Sequence, residues 1–260
     1  MIAYLLILAS PFWFPAHNPS MPGAGEAGSG MGGCEDNRAA MDSMPRKGTL
    51  LYKNSFGARE SLKDWKMEGP GELQFSRGWM EMFSPDKEWD HVLWCPADFP
   101  SSFIAEWEMQ NLDTSEGLTI VFFAARGSRG EDIFDPSLPE RDGTFKYYNK
   151  GQLNCYHISY YTNNPKNPDR KKANLRKDSM FALLQQGETG IPAGSLKKHK
   201  IRLIKKEAWI VMYVDGRKII DYRDDNGAYG APYLSGKIGF RQMRWSHFRY
   251  RNFRVWNIKN

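Results

Sequence analysis

From residue 49 onward, short runs of Val, Ile, Phe, Tyr and Trp recur, separated by Gly, Pro, Asn and Asp. Alternation with a period of two puts neighbouring side chains on opposite faces of a strand. The pattern predicts strands at Thr49–Lys53, Trp79–Phe83, Phe103–Gln110, Leu118–Ala125, Leu153–Tyr161, Lys200–Ile204, Trp209–Val214, Lys218–Tyr222, Lys237–Phe240 and Phe248–Trp256. Between two of these runs, Val214-Asp215-Gly216-Arg217 places Asp-Gly where a tight hairpin turn needs it. No segment keeps a helical period over three turns, and Asp178–Gln186 is the best short helix candidate. This many strands without an internal repeat predicts one all-β domain over 49–260, a sandwich or barrel.

The same alternation assigns faces. Phe103, Ala105, Trp107 and Met109 should face a core, with Glu106, Glu108 and Gln110 on the other side. In the run to Tyr161, the face of His157, Ser159 and Tyr161 is polar, and Tyr156, Ile158 and Tyr160 should point inward.

The leader differs in character. MIAYLLILASPFWFP is apolar but too short to span a bilayer comfortably as a helix. It resembles the apolar part of a secretory signal, without a preceding Lys or Arg. Residues 16–48 are rich in Gly, Pro, Ser, Ala and Met and read as a disordered linker. Together 1–48 read as signal-like leader plus linker, which favours export to the periplasm, with cytoplasmic residence as the alternative.

Composition narrows the classes. With 41% apolar and 25% charged residues, the chain is neither mainly disordered nor a multispanning membrane protein. A formal charge of +6 suits a polyanionic partner without singling out nucleic acid, which is not expected here. Cys34, Cys95 and Cys155 form neither a disulfide framework nor a zinc spacing. Phosphate-loop, dinucleotide, HExxH and Gly-x-Ser-x-Gly signatures are absent. Glu131, Asp132 and Asp135 lack calcium-loop spacing, so no metal or cofactor is expected.

Several motifs occur in a fixed order: Leu50-Leu51-Tyr52-Lys53-Asn54, Met67-Glu68-Gly69, Trp94-Cys95-Pro96 and Phe122-Phe123-Ala124-Ala125. They continue with Arg129-Gly130-Glu131-Asp132, Phe134-Asp135-Pro136-Ser137-Leu138, His157, Ser159-Tyr160, Asn174-Leu175-Arg176-Lys177 and Gly236 to Met243. Over roughly 49–258 the chain resembles the YesU-type family, a bacterial family of unknown function. The resemblance implies a concanavalin A-like jelly-roll sandwich of two curved antiparallel sheets with a sugar-receiving face. It also implies work on uronate-containing pectic or algal glycans, with dehydration of uronate-ended oligosaccharides as the most concrete activity.

Elimination beside a carboxylate requires neutralisation of that carboxylate, a base for the α-proton and an acid for the leaving oxygen. Arg176 and Asn174, two apart on one strand, suit the first task. His157, Tyr160, Tyr161 and Lys177 are the candidates for proton transfer. Arg129, Gln242 and Trp94, in the other motifs, are further expected substrate contacts. The basic stretch from Lys166 to Lys172 reads as a solvated loop, and the long segment Arg126–Tyr148 as a possible lid. Two other classes compete: a non-catalytic lectin-like module for acidic glycans, and a glycoside hydrolase using Glu106 and Glu108. These two glutamates sit about 7 Å apart along a strand, within the spacing of inverting glycosidases. The residues leave the oligomeric state open.

Overall fold

The computed structural model describes residues 44–259, so the expected leader and nearly all of the expected linker lie outside the described residues. From Pro45 onward the chain forms one compact unit. Its strands are β1 (Arg46–Asn54), β2 (Lys66–Glu68), β3 (Glu72–Ser76), β4 (Trp79–Phe83), β5 (His91–Trp94), β6 (Ser102–Asn111), β7 (Gly117–Gly127) and β8 (Leu153–Asn163). The remaining strands are β9 (Asn174–Asp178), β10 (Ala182–Gln186), β11 (Lys198–Lys206), β12 (Trp209–Val214), β13 (Arg217–Arg223), β14 (Lys237–Gln242) and β15 (His247–Lys259). Only a 3-10 turn at Arg59–Leu62 and a one-turn helix α1 (Lys146–Asn149) interrupt them among the described residues.

The strands form two antiparallel sheets packed face to face, a concanavalin A-like jelly roll. One runs β13-β12-β11-β6-β15-β4-β3, with β1 added against β15. The other runs β10-β9-β8-β7-β14-β5-β2. The predicted strands are all present, and β1 begins three residues before the expected boundary. The helix expected at Asp178–Gln186 is instead the end of β9, a turn and β10. Arg176 pairs with Leu183 and Asn174 with Gln186, so hairpin pairing overrides the helix preference of the Leu-Leu-Gln-Gln run.

Between the sheets lies the main core. Phe103, Ala105, Trp107 and Met109 face it from β6, as alternation predicts, and meet Tyr156, Ile158, Phe240 and Phe123 from the other sheet. Several polar groups of this core find partners within it. Tyr160 accepts a hydrogen bond from Trp107 Nε1 at 3.2 Å, and Gln242 Nε2 donates to Tyr250 Oη at 3.2 Å.

His91, fully buried on β5, has a consequence for acid stability. Burial, assisted by the nearby Arg241 charge, pulls its pKa down to about 4. Unfolded, the same imidazole takes a proton near 6.5. Between these values the unfolded chain binds more protons, so the contribution is intact above about pH 6.5 and is lost as pH falls toward 4. The full loss is about 3 kcal/mol. Denaturant titrations at pH 7 and 4.5 should show a shallower pH slope in His91→Gln than in wild type. Equal slopes would remove His91 as the cause.

A second apolar cluster lies on the outer face of the seven-stranded sheet. Val92, Trp94, Leu118, Ile120 and Phe122 of the sheet are covered by Ile133, Leu138 and Tyr148 from the segment between β7 and β8. A buried ionic network clamps this segment. Glu68 on β2 accepts from Arg141 Nη2 at 2.6 Å, Tyr148 Oη at 2.8 Å and Trp94 Nε1 at 2.9 Å. Gly143, at φ +88°, lets the segment pass over the backbone of Asp90, where a Cβ would collide with the Asp90 carbonyl. The expected lid is therefore a packed wall on the sheet.

Candidate functional site

Two cross-strand rows on this outer face bring the polar residues together. In one, Arg176 on β9 lies opposite His157 on β8, which lies opposite Phe122 on β7. In the next, Asn174 lies opposite Ser159 and Ser159 opposite Ile120. One step the other way, Asp178 is paired with Cys155. Asn174, Arg176 and Asp178 share a face because β9 alternates strictly, with Leu175 and Lys177 turned inward.

Asp178 orients His157. Its Oδ2 lies 2.6 Å from His157 Nδ1, and the Cys155 thiol also points to Oδ2 at 3.7 Å. A carboxylate only accepts, so with Nδ1 donating to it Nε2 is the ring atom left to exchange a proton. Burial, followed by the Asp178 charge, pushes the Cys155 thiol well up, so it stays protonated. Three aromatic rings enclose the imidazole: Phe122 and Phe145 edge-on at 5.7 and 5.9 Å, and Phe181 roughly parallel at 5.9 Å. His157 is consequently only 2% exposed.

Two guanidinium groups stand beside this dyad. Arg176 donates Nη1 to the Phe181 carbonyl at 2.9 Å and lies over the Phe181 ring at 4.1 Å. Arg170, from the loop after β8, reaches back to donate Nη2 to Ser159 Oγ at 2.8 Å. Burial, and then the Arg176 charge, draw the Arg170 pKa down, a sign that the two cations share one environment. Among the described residues, the buried polar atoms that lack a protein partner include Asn174 Oδ1, Asp178 Oδ1, Arg170 Nε and Arg241 Nε on this sheet face. Hydrogen-bonding capacity left unused at buried positions is what a polar ligand would fill.

The structure redistributes the expected site. His157, Arg176 and Asn174 come together as parity predicts, but Tyr161 does not join them. A bulge in β8 pairs Tyr161 with Thr119 and Ser159 with Ile120, leaving Tyr160 between them. Both tyrosines therefore face the intersheet core, where Tyr161 accepts from Asn111 Nδ2 at 3.0 Å. Lys177 is fully buried on the same inner side, bound to Asp224 Oδ2 and the carbonyls of Gly230 and Ala231, each at 2.8 Å. Gln242 points inward beside Phe240, and Trp94 is sealed beneath Tyr148 and the wall segment. Arg129 is on the surface, paired with Glu131 at 3.0 Å. Two residues escaped notice. Arg170 sat in a stretch read as solvated, and only the fold returns it to Ser159. Asp178 lay in the misread helix, although its spacing of two from Arg176 already placed it on the right face.

Glu106 and Glu108 lie on β6 in the other sheet, on its outer face. Burial raises the Glu106 pKa, but Lys47 at 2.8 Å and Arg202 at 2.6 Å outweigh it and hold the carboxyl below its usual value. For Glu108, burial is likewise outweighed by Asn252 and Arg251. In glycosidases the pKa of one carboxyl is raised so that it can act as the acid, whereas both of these are held low. Among the described residues no cluster of His, Cys, Asp and Glu could hold a metal, and no helix is long and apolar enough to cross a membrane. The more open clefts, one lined by Arg126, Asn154 and Tyr233 and another by Tyr52, Asp64 and Arg254, contain no histidine.

Comparison with known proteins bears on family and fold. The uncharacterized protein YesU of Bacillus subtilis (strain 168) is 35% identical over 215 residues, covering 82% of this chain and 97% of YesU. A crystal structure of a Bacillus subtilis protein of unknown function with a galectin-like fold superposes with a TM-score of 0.79 at 35% identity, covering 83% of this chain and 99% of that one. The carbohydrate-binding module CBM66 of Bacillus subtilis shares the fold alone, with a TM-score of 0.50 at 13% identity over 75% of this chain and 96% of the module. The family model described as a domain of unknown function, DUF1961, matches residues 49–255, and the chain belongs to that family.

Proposed function

We propose that this protein binds an acidic oligosaccharide on the outer face of the seven-stranded sheet and removes water from a uronate unit. The carrying observation is an imidazole held by Asp178 directly across the strand pair from Arg176. Arg176, Asn174 and Arg170 would take the carboxylate and draw electron density from its α-carbon. His157 Nε2 would remove the α-proton, the α–β double bond would form, and the β-hydroxyl would leave. With Tyr160, Tyr161 and Lys177 turned inward, His157 is the proton carrier left from the predicted set. It would return that same proton to the departing oxygen, so that one water leaves for each double bond formed.

Entry to His157 is coupled to carboxylate binding. Arg176 at present engages the carbonyl and ring of Phe181, and Phe181 covers His157. A carboxylate offers Arg176 a stronger, bidentate partner, which would release the Phe181 turn and uncover the base. The carbohydrate character of the proposal is supported by the shared fold of a carbohydrate-binding module. A binding-only module is the second reading, favoured by the near-complete burial of His157.

The test is incubation with a panel of uronate-ended oligosaccharides. Growth of the ultraviolet absorbance of a conjugated double bond supports elimination. New reducing ends without absorbance mean hydrolysis, and binding with neither means a lectin. Arg176→Lys keeps the charge and loses the fork, so KM should rise about tenfold or more. Substrate should also speed amide exchange at residues 179–183. An unchanged KM in the variant would remove Arg176 from the site.

A further inference from the structure

A second chemical constellation shares no residue with the His157 face. Ser195 Oγ lies 3.0 Å from His199 Nε2, and His199 Nδ1 lies 2.7 Å from Asp215 Oδ2. Ser195 belongs to the connection before β11, His199 to β11 itself, and Asp215 to the turn joining β12 and β13. Asp215 is held firmly, because its Oδ1 accepts from the Lys200 backbone N–H at 2.8 Å and its own N–H donates to the Lys200 carbonyl at 2.9 Å. The His199 side chain is only 7% exposed, whereas Ser195 is half-buried and Leu196 beside it is exposed.

We infer that Ser195, His199 and Asp215 form a nucleophilic triad that hydrolyses short-chain carboxylic esters. The hydrogen-bond directions agree with that role. With Nδ1–H donating to Asp215, Nε2 is the ring atom placed to accept the Ser195 hydroxyl proton. Ser195 Oγ in turn accepts from the Lys197 N–H at 3.3 Å, which leaves its own proton free to point at His199. Serine hydrolases stabilise the oxyanion with the N–H of the residue after the nucleophile. Here that is Leu196, whose carbonyl is pinned by Gln110 Nε2 at 2.6 Å and whose N–H donates to no protein acceptor among the described residues. The nucleophile stands on a surface turn, which suits a small acyl group. The exposed Lys197, Lys198 and Lys200 beside it favour an acidic alcohol portion.

The chemistry balances with water alone. Ser195 Oγ attacks the ester carbonyl while its proton moves to His199. The C–O bond to the alcohol breaks, and the alcohol leaves with that proton. Water then attacks the acyl-serine, giving its proton through His199 back to Oγ. One ester and one water yield one alcohol and one carboxylic acid.

The test uses the full chain with a fluorophosphonate probe, adduct mapping by mass spectrometry, and turnover of p-nitrophenyl acetate. Wild type should carry the adduct on Ser195. Ser195→Ala should lose adduct and turnover while keeping its unfolding midpoint. Asp215→Asn should react roughly 100-fold or more slowly, because it spoils the orientation and tautomer of His199. An unlabelled wild type, an adduct elsewhere, or equal rates in Asp215→Asn would each overturn the assignment. Elimination on uronate substrates should be unchanged in both variants, so the two sites are read separately.

Discussion

Replacing His157 by Asn should cut elimination by roughly 100-fold or more while the domain stays folded. The size follows from the loss of the one imidazole, among the described residues, that can move a proton on this face. The choice of Asn follows from burial. Asp178 is fully buried and its Oδ2 is held by Nδ1 of His157, so removal of the ring strands a carboxylate away from water. The amide of Asn retains a donor where Nδ1 stood and offers nothing in place of Nε2. His157→Ala should lose the same activity and also about 3–5 kcal/mol of stability, the usual consequence of leaving a buried charge without its partner. Initial rates on uronate oligosaccharides and urea midpoints separate the two effects. Full activity in His157→Asn would move the proton chemistry elsewhere. Loss of folding in Asn as well as Ala would make His157 structural and favour the binding-only reading.

Glu68→Ala should also lose stability, by about 3–5 kcal/mol. Glu68 and Arg141 are 4% and 7% exposed, and the carboxylate also serves Tyr148 and Trp94. Truncation leaves a guanidinium, a phenol and an indole N–H without their acceptor in the same dry place. The loss should appear as a lower urea midpoint and as amide exchange spreading through residues 128–152. Phe145 belongs to that segment and covers His157, so elimination should fall too. Glu68→Gln keeps an acceptor and should lose markedly less. A change below about 1 kcal/mol in Glu68→Ala would show that the apolar contacts alone hold the wall.

Much of the candidate site was readable because β9 is regular. Strict alternation carried Asn174 and Arg176 to one face, and the same rule, applied without regard to charge, places Lys177 and Gln242 inward. Tyr161 was misplaced because one inserted residue reverses parity, and nothing in Ser159-Tyr160-Tyr161 announces a bulge. Trp94 was misread for a different reason. Its parity is outward, yet what covers an outward face is a segment about 50 residues later.

By itself the sequence determined the architecture: period-two alternation specifies strands, and a chain of such strands can bury its apolar faces only by stacking sheets. It also determined which residues of a regular strand share a side, since that geometry is local. The tertiary structure alone decided which outward face became a site. Loop closure returned Arg170 to Ser159, strand pairing set Asp178 against His157, and the wall segment converted Trp94 from an exposed ring to a buried one. Each of these joins residues through space across a bulge, a turn or a long connection, and local periodicity carries no information about such contacts.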